Sequence, residues 1–133
     1  MADGFLLRDA APADLPVIAD LIRALAADAV LSLDFRGDAF IGPQALLDTP
    51  EIWPQRIIVM TLARVGSGAG PDLERLSTVR RLCGDRLVYA AGGVRHVDDL
   101  AALNRCGVAG ALVASALHDG RLTRADIEAL RET

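Results

Sequence analysis

Leu87-Val88-Tyr89-Ala90-Ala91-Gly92-Gly93, an apolar run closed by two glycines, decides how this chain is read. A short, continuous apolar run bounded by glycine fits a strand buried on both faces of a parallel sheet. Further on, Gly110-Ala111-Leu112-Val113-Ala114-Ser115 repeats the pattern. Both runs end in small residues, where backbone N–H groups can converge on an anion with no Cβ in the way. The plain alternative for Gly92-Gly93 is a tight strand-to-helix turn that holds nothing.

Working outward from these runs gives alternating strand and helix signals. Arg56-Ile57-Ile58-Val59-Met60-Thr61-Leu62 is another buried-strand run, Ala29-Val30-Leu31-Ser32-Leu33 is a strand ending in Asp34, and Phe5-Leu6-Leu7 opens the series. Between them lie helix patterns: Leu15, Ile18, Ile22 and Leu25 after Asp14 and Pro16; Leu73, Leu76 and Val79 after Pro71; Val97, Leu100 and Leu103 before Gly107. Thr123 with Asp126 three residues on caps a last helix. Trp53, beside Pro54 and ahead of a strand, reads as packing. Successive βα units of this kind imply an α/β fold with a parallel sheet and same-handed crossovers.

Composition limits the function. With 133 residues, 52% of them hydrophobic, and a mean hydropathy of +0.32, the whole of 1–133 is expected to form one domain. A formal charge of −4 and arginines scattered among aspartates argue against a nucleic-acid partner, which needs clustered cations. All 14 basic residues are arginine, so lysine Schiff-base chemistry is excluded. Cys83 and Cys106 lack metal-ligand spacing and read as reduced small hydrophobes of a cytoplasmic protein. No leader or membrane-spanning run is seen, so no membrane is expected as partner. No metal and no cofactor is expected; Gly66-Ser67-Gly68-Ala69-Gly70 has the wrong spacing for a dinucleotide loop and reads as a lid or a linker.

In parallel α/β sheets ligands bind at the carboxyl ends of the strands. The candidates there are Asp34 with Arg36, Thr61 with Arg64, Gly92-Gly93, and Ala114-Ser115. Asp34, closing an apolar strand, is placed for proton transfer, or else pairs with Arg36 or caps the loop. Ser115 to His118 fits the short extra helix that often helps hold phosphate after the last strands of a barrel. His96 and His118 read as loop or cap residues.

Ser32-Leu33-Asp34-Phe35-Arg36-Gly37, Ala90-Ala91-Gly92-Gly93-Val94 and Gly110-Ala111-Leu112-Val113-Ala114-Ser115 resemble the fifth, seventh and eighth strands of the histidine-biosynthesis (β/α)8 barrels. These are the ProFAR isomerases and the related cyclase subunit of imidazole glycerol phosphate synthase. The resemblance runs from about Phe5 to the last helix. It implies a partial TIM (β/α)8 barrel of about strands 4–8, a phosphorylated sugar or ribotide as ligand, and aldose-ketose (Amadori) isomerisation. It assigns Asp34 as the catalytic acid, Thr61 to a position beside the substrate, and Gly92, Gly93, Ala114 and Ser115 to phosphate binding; Arg36 and Arg64, candidates from their place at the strand ends, are expected as further substrate-binding residues.

The same resemblance assigns the isomerase's catalytic base to the end of the first barrel strand, before the matched region. It also puts Phe40 nearest to the aromatic that the isomerases bring over the substrate. The alternative is a noncatalytic phosphate-binding half-barrel module. Five strands leave two open edges and an uncovered apolar face, so self-association, or a partner that completes the barrel, is expected.

Overall fold

The computed structural model describes residues 10–62 and 70–131. Its centre is a sheet of five strands, β1 (Val30–Arg36), β2 (Ala39–Phe40), β3 (Arg56–Thr61), β4 (Leu87–Ala91) and β5 (Gly110–Leu112), in the order β2-β1-β3-β4-β5. The helices are α1 (Leu15–Leu25), α2 (Gln44–Leu47), α3 (Leu73–Cys83), α4 (Val97–Arg105), α5 (Ser115–His118) and α6 (Arg124–Arg131). Strands β1, β3, β4 and β5 run parallel, each hydrogen-bonded to the next. The expected strand at Phe5-Leu6-Leu7 lies outside the described residues.

The two faces of the sheet differ sharply. Leu33, Val59 and Ala90 lie side by side in register and are almost fully buried, as are Ile57 and Val88 one pleat earlier. They pack against Leu76, Val79 and Cys83 of α3 and Leu103 of α4. The α3 and α4 crossovers therefore cover this one face. A sheet that steps strand by strand to its next neighbour with helices on one side winds like a β/α barrel; a doubly wound sheet reverses its order and is covered on both sides. The chain thus has the expected α/β fold, with a mostly parallel sheet in partial TIM-barrel-like organisation.

The opposite face carries Ser32, Asp34, Ile58, Met60, Tyr89 and Leu112, because successive side chains of a strand alternate between faces. It is open: Val30 and Leu112 remain 53% and 51% exposed.

Local chemistry explains most element ends. Asp72 caps α3 by accepting the Arg75 N–H, so the helix begins at Leu73, two residues past the expected Pro71 start. Thr123 and Asp126 exchange side-chain and backbone hydrogen bonds across the first turn of α6, as their spacing predicts. Trp53 is buried, as expected, and its indole N–H donates to the Leu46 carbonyl at 2.8 Å. The first strand of the described sheet differs from expectation. It runs two residues beyond Asp34, because Phe35 and Arg36 pair with Phe40 and Ala39 in a hairpin turned by Gly37-Asp38. Gly37 has φ of 60° at the first turn position, where a two-residue hairpin favours glycine.

Candidate functional site

One transverse row organises the open face. Asp34 of β1 lies opposite Met60 of β3, Met60 opposite Ala91 of β4, and Ala91 opposite Leu112 of β5. Side chains in register share a face, so Asp34 points away from the helices; its neighbours Leu33 and Phe35 point into them. Gly92 follows Ala91 directly, and Ala114 and Ser115 follow Leu112 by two and three residues. With strands about 4.8 Å apart, two strand widths put Asp34 about 10 Å across the sheet from the β4 end.

Asp34 is half-buried, and its carboxylate accepts a hydrogen bond from the Ser32 hydroxyl at 2.6 Å. Ser32 was not singled out from the sequence, although a residue two positions away on a strand necessarily shares Asp34's face. Arg36, two residues on, shares that face too, but among the described residues it makes no ion pair with Asp34; it is exposed. Arg64 lies outside the described residues, as do Gly66 and Gly68.

Thr61 belongs to the other face. It sits in register with Phe35, is 6% exposed, and donates its hydroxyl to the Ala91 carbonyl at 3.3 Å. That bond ties the end of β3 to the end of β4. Phe40 also lies on the helix side, directly opposite Phe35 with ring centroids 5.4 Å apart. It therefore packs on the core rather than over the row of Asp34. The guanidinium of Arg75 stacks on the Phe35 ring at 4.4 Å and helps hold the hairpin against α3. Beside it a cavity of about 410 Å³ is lined by Asp38, Asp72, Glu74, Arg75 and Thr78. Three acids against one base make it unsuited to an anion.

The glycine turn after β4 has a steric cause. Gly92 and Gly93 take φ of 100° and 86°, a region that other residues rarely enter. A Cβ on Gly93 would stand 2.4 Å from the Gly70 carbonyl oxygen, so the backbones leading into α3 and α4 meet here without room for a side chain. After β5, Ala114 precedes the short helix α5, formed over Ser115–His118 as the sequence predicts. His96 stands at the N-cap position of α4 and His118 at the end of α5, both exposed.

Perturbed acidity among the described residues centres on one pair. Hydrogen bonds from Arg95 hold the Asp99 carboxyl below its ordinary range despite burial, and the same bond raises Arg95. Burial pushes the Cys83 thiol up, with Arg86 and Arg80 opposing it, which makes this a poor nucleophile. Both cysteines are free. Among the described residues no cluster of His, Cys, Asp and Glu could hold a metal ion, and no helix is long and apolar enough to cross a membrane.

The chain is similar over 129 residues, at 25% identity, to the 1-(5-phosphoribosyl)-5-((5-phosphoribosylamino)methylideneamino) imidazole-4-carboxamide isomerase of Bacillus cereus strain AH187, a match covering 88% of this chain and 53% of the relative. The isomerase of the same name from Rhodococcus erythropolis is 41% identical over 71 residues, covering 51% of this chain and 29% of the relative. That of Bacteroides thetaiotaomicron is 32% identical over 73 residues, 55% of this chain and 30% of the relative. At its fullest, the chain spans about half the length of the curated relatives it matches. The family model described as histidine biosynthesis protein matches residues 5–123, nearly the whole sequence, and the chain therefore belongs to the histidine biosynthesis protein family.

Proposed function

We propose that this chain carries the acid side and one phosphate grip of an aldose-ketose isomerase acting on a phosphoribosyl aminoimidazole, as in ProFAR isomerisation. The single observation that supports this reading is the row joining Asp34 to Met60, Ala91 and Leu112 on the uncovered face, with Gly92-Gly93 and Ala114-Ser115 just beyond it. In this reading the backbone after β4 and β5 holds a phosphate, and Asp34 delivers a proton to the ring oxygen of the phosphorylated aminoaldose as the ring opens. Ser32 fixes one carboxyl oxygen and leaves the other to carry the proton. Arg36, on the same face, and Arg64 serve as further substrate contacts. Thr61 aids them by holding the β3 and β4 ends together. The same reading puts the chain in the cytoplasm.

The rearrangement also requires a base to remove the proton from carbon. Resemblance puts that base on a strand before those matched here; in this reading the strands that complete the barrel, whatever chain carries them, supply it. The second reading is a noncatalytic module that binds a sugar phosphate; the absence of a second carboxylate in the row with Asp34 favours it. Complementation separates the two. Under the enzyme reading, the full chain restores growth without histidine to a host deleted for the isomerase, and Asp34→Asn abolishes the rescue. Under the module reading, neither rescues, while the purified chain still binds ribose 5-phosphate.

A further inference from the structure

Asp99 is, with Thr61, one of two buried polar residues among those described, and its carboxylate accepts three hydrogen bonds from one neighbour. It lies in the first turn of α4 and accepts the backbone N–H of Arg95 at 2.8 Å, the Arg95 Nε at 3.0 Å and the Arg95 Nη2 at 2.9 Å. The carboxylate thus grips both the chain and the guanidinium of the residue that separates the glycine turn from α4. A planar guanidinium held by both carboxylate oxygens is fixed in direction as well as distance.

That guanidinium reaches the neighbouring loop. A Cβ on Gly70 would lie 2.9 Å from Arg95 Nη2, so Arg95 packs directly on the backbone that enters α3. The Gly70 carbonyl in turn covers Gly93, and no side chain fits between them. Asp99, Arg95, Gly70 and Gly93 therefore form one chain of contacts around the turn after β4. Neither glycine has a side chain with which to hold its own conformation, and both have positive φ.

We infer that Asp99 is a positioning residue: through Arg95 it locks the Gly92–Val94 turn against Gly70 in the one backbone arrangement that grips phosphate. This rests on the phosphate reading of the turn given above. Asp99 touches no ligand itself. Its effect is on the affinity of the turn for an anion, a property that simple anchoring of α4 leaves unchanged in folded protein.

The test follows the backbone amide resonances of Gly92 and Gly93 in the full chain during titration with inorganic phosphate. Asp99→Asn keeps the shape and removes the charge; it is expected to weaken phosphate binding about tenfold or more, as loss of an orienting outer partner does elsewhere. The amides of Leu33 and Val59 keep their wild-type shifts, which reports an intact core. Asp99→Glu, which retains the carboxylate, regains part of the affinity. Should Asp99→Asn prevent folding, Arg95→Gln at the more exposed end of the pair carries the same measurements.

Wild-type phosphate affinity in a folded Asp99→Asn or Arg95→Gln variant overturns the inference. If the unsubstituted chain binds no phosphate, the anion reading of the turn falls by itself. The positioning role is then decided by the glycine resonances alone: displaced or broadened in the variant while Leu33 and Val59 are unmoved, it stands; unchanged, it is overturned.

Discussion

A carboxylate on the open side of a sheet is chemically useful only if something holds it. Asp34 is held by the serine two residues earlier on the same strand, a contact that fixes one oxygen while the other stays free. Asp34→Asn preserves size and hydrogen bonding and removes the transferable proton. Under the proposed chemistry it reduces turnover by about 10²- to 10⁴-fold, the usual contribution of a general acid, with phosphate affinity nearly unchanged. Steady-state kinetics of the complete assembly checks this; wild-type turnover in the mutant removes Asp34 from the mechanism. Asp99 makes a different prediction. Hydrogen bonds from Arg95, and to a lesser degree the charge of His96, lower its pKa in the fold against the opposing effect of burial, so the charged form is favoured by folding. Such a carboxylate stabilises the fold above its ordinary range near pH 4, and this contribution is lost as pH falls through the lower, folded-state value. Urea unfolding of the wild type and of Asp99→Asn therefore diverges at pH 7, with the mutant less stable, and converges at acid pH. A gap that stays constant across this range contradicts the assignment.

At the scale of elements, the joint between the α3 and α4 approaches leaves no room for a side chain. Gly93→Ala must place a methyl group against the Gly70 carbonyl and also hold a non-glycine residue at φ of 86°. Strain of this kind costs about 1 to 3 kcal/mol, so thermal denaturation is expected to show a clear loss of stability. A mutant as stable as the wild type means the two loops part easily and do not define one site. The glycine pair was legible in the sequence because an apolar run gives it a place; its partner was not, since Gly70 touches Gly93 across the sheet rather than along the chain. The same distinction runs through the molecule. Buried strands β3 and β4 announce themselves by composition, and the Thr123-Asp126 cap by spacing. The β1–β2 hairpin was missed although Gly37-Asp38 between two apolar-containing pairs is a turn signal, because β2 has only two residues and no periodicity to read. Phe40 was drawn toward the ligand by resemblance, whereas its cross-strand pairing with Phe35 turns it to the core. Thr61 stood out at the end of its strand, but the pleat that sends its side chain to the helix face becomes definite only once register is known. Asp99 was overlooked because an acid early in a helix usually stays exposed, and only the arginine four residues before it makes burial tolerable.

At the scale of the whole molecule the sheet is finished on one side only. The helix-covered face holds a continuous core, and Ile57→Ala or Leu33→Ala there is expected to cost about 2 to 5 kcal/mol. The other face exposes Val30, Leu87 and Leu112 beside the half-buried Ile58, Met60 and Tyr89. Among the described residues β5 pairs only with β4, and beyond β1 only the two-residue β2 is paired, so within them both edges of the parallel sheet have unpaired lengths. Barrels remove such edges by closure, and the four parallel strands among the described residues are half of the eight that a TIM barrel closes with. A two-fold axis along the barrel brings the β5 edge of one copy to the β1 side of the other while keeping every strand parallel, the self-complementary arrangement that symmetric dimers use. A second copy is accordingly the covering surface we expect. Sedimentation equilibrium is then predicted to give a mass above that of one chain at micromolar concentration. Leu112→Arg, which sets a cation on the open face at its β5 edge without touching the core, shifts the chain toward monomer and raises binding of a hydrophobic dye. A well-folded wild-type monomer at the same concentration that binds no dye defeats the idea, for it means the open face is stable in water as it stands.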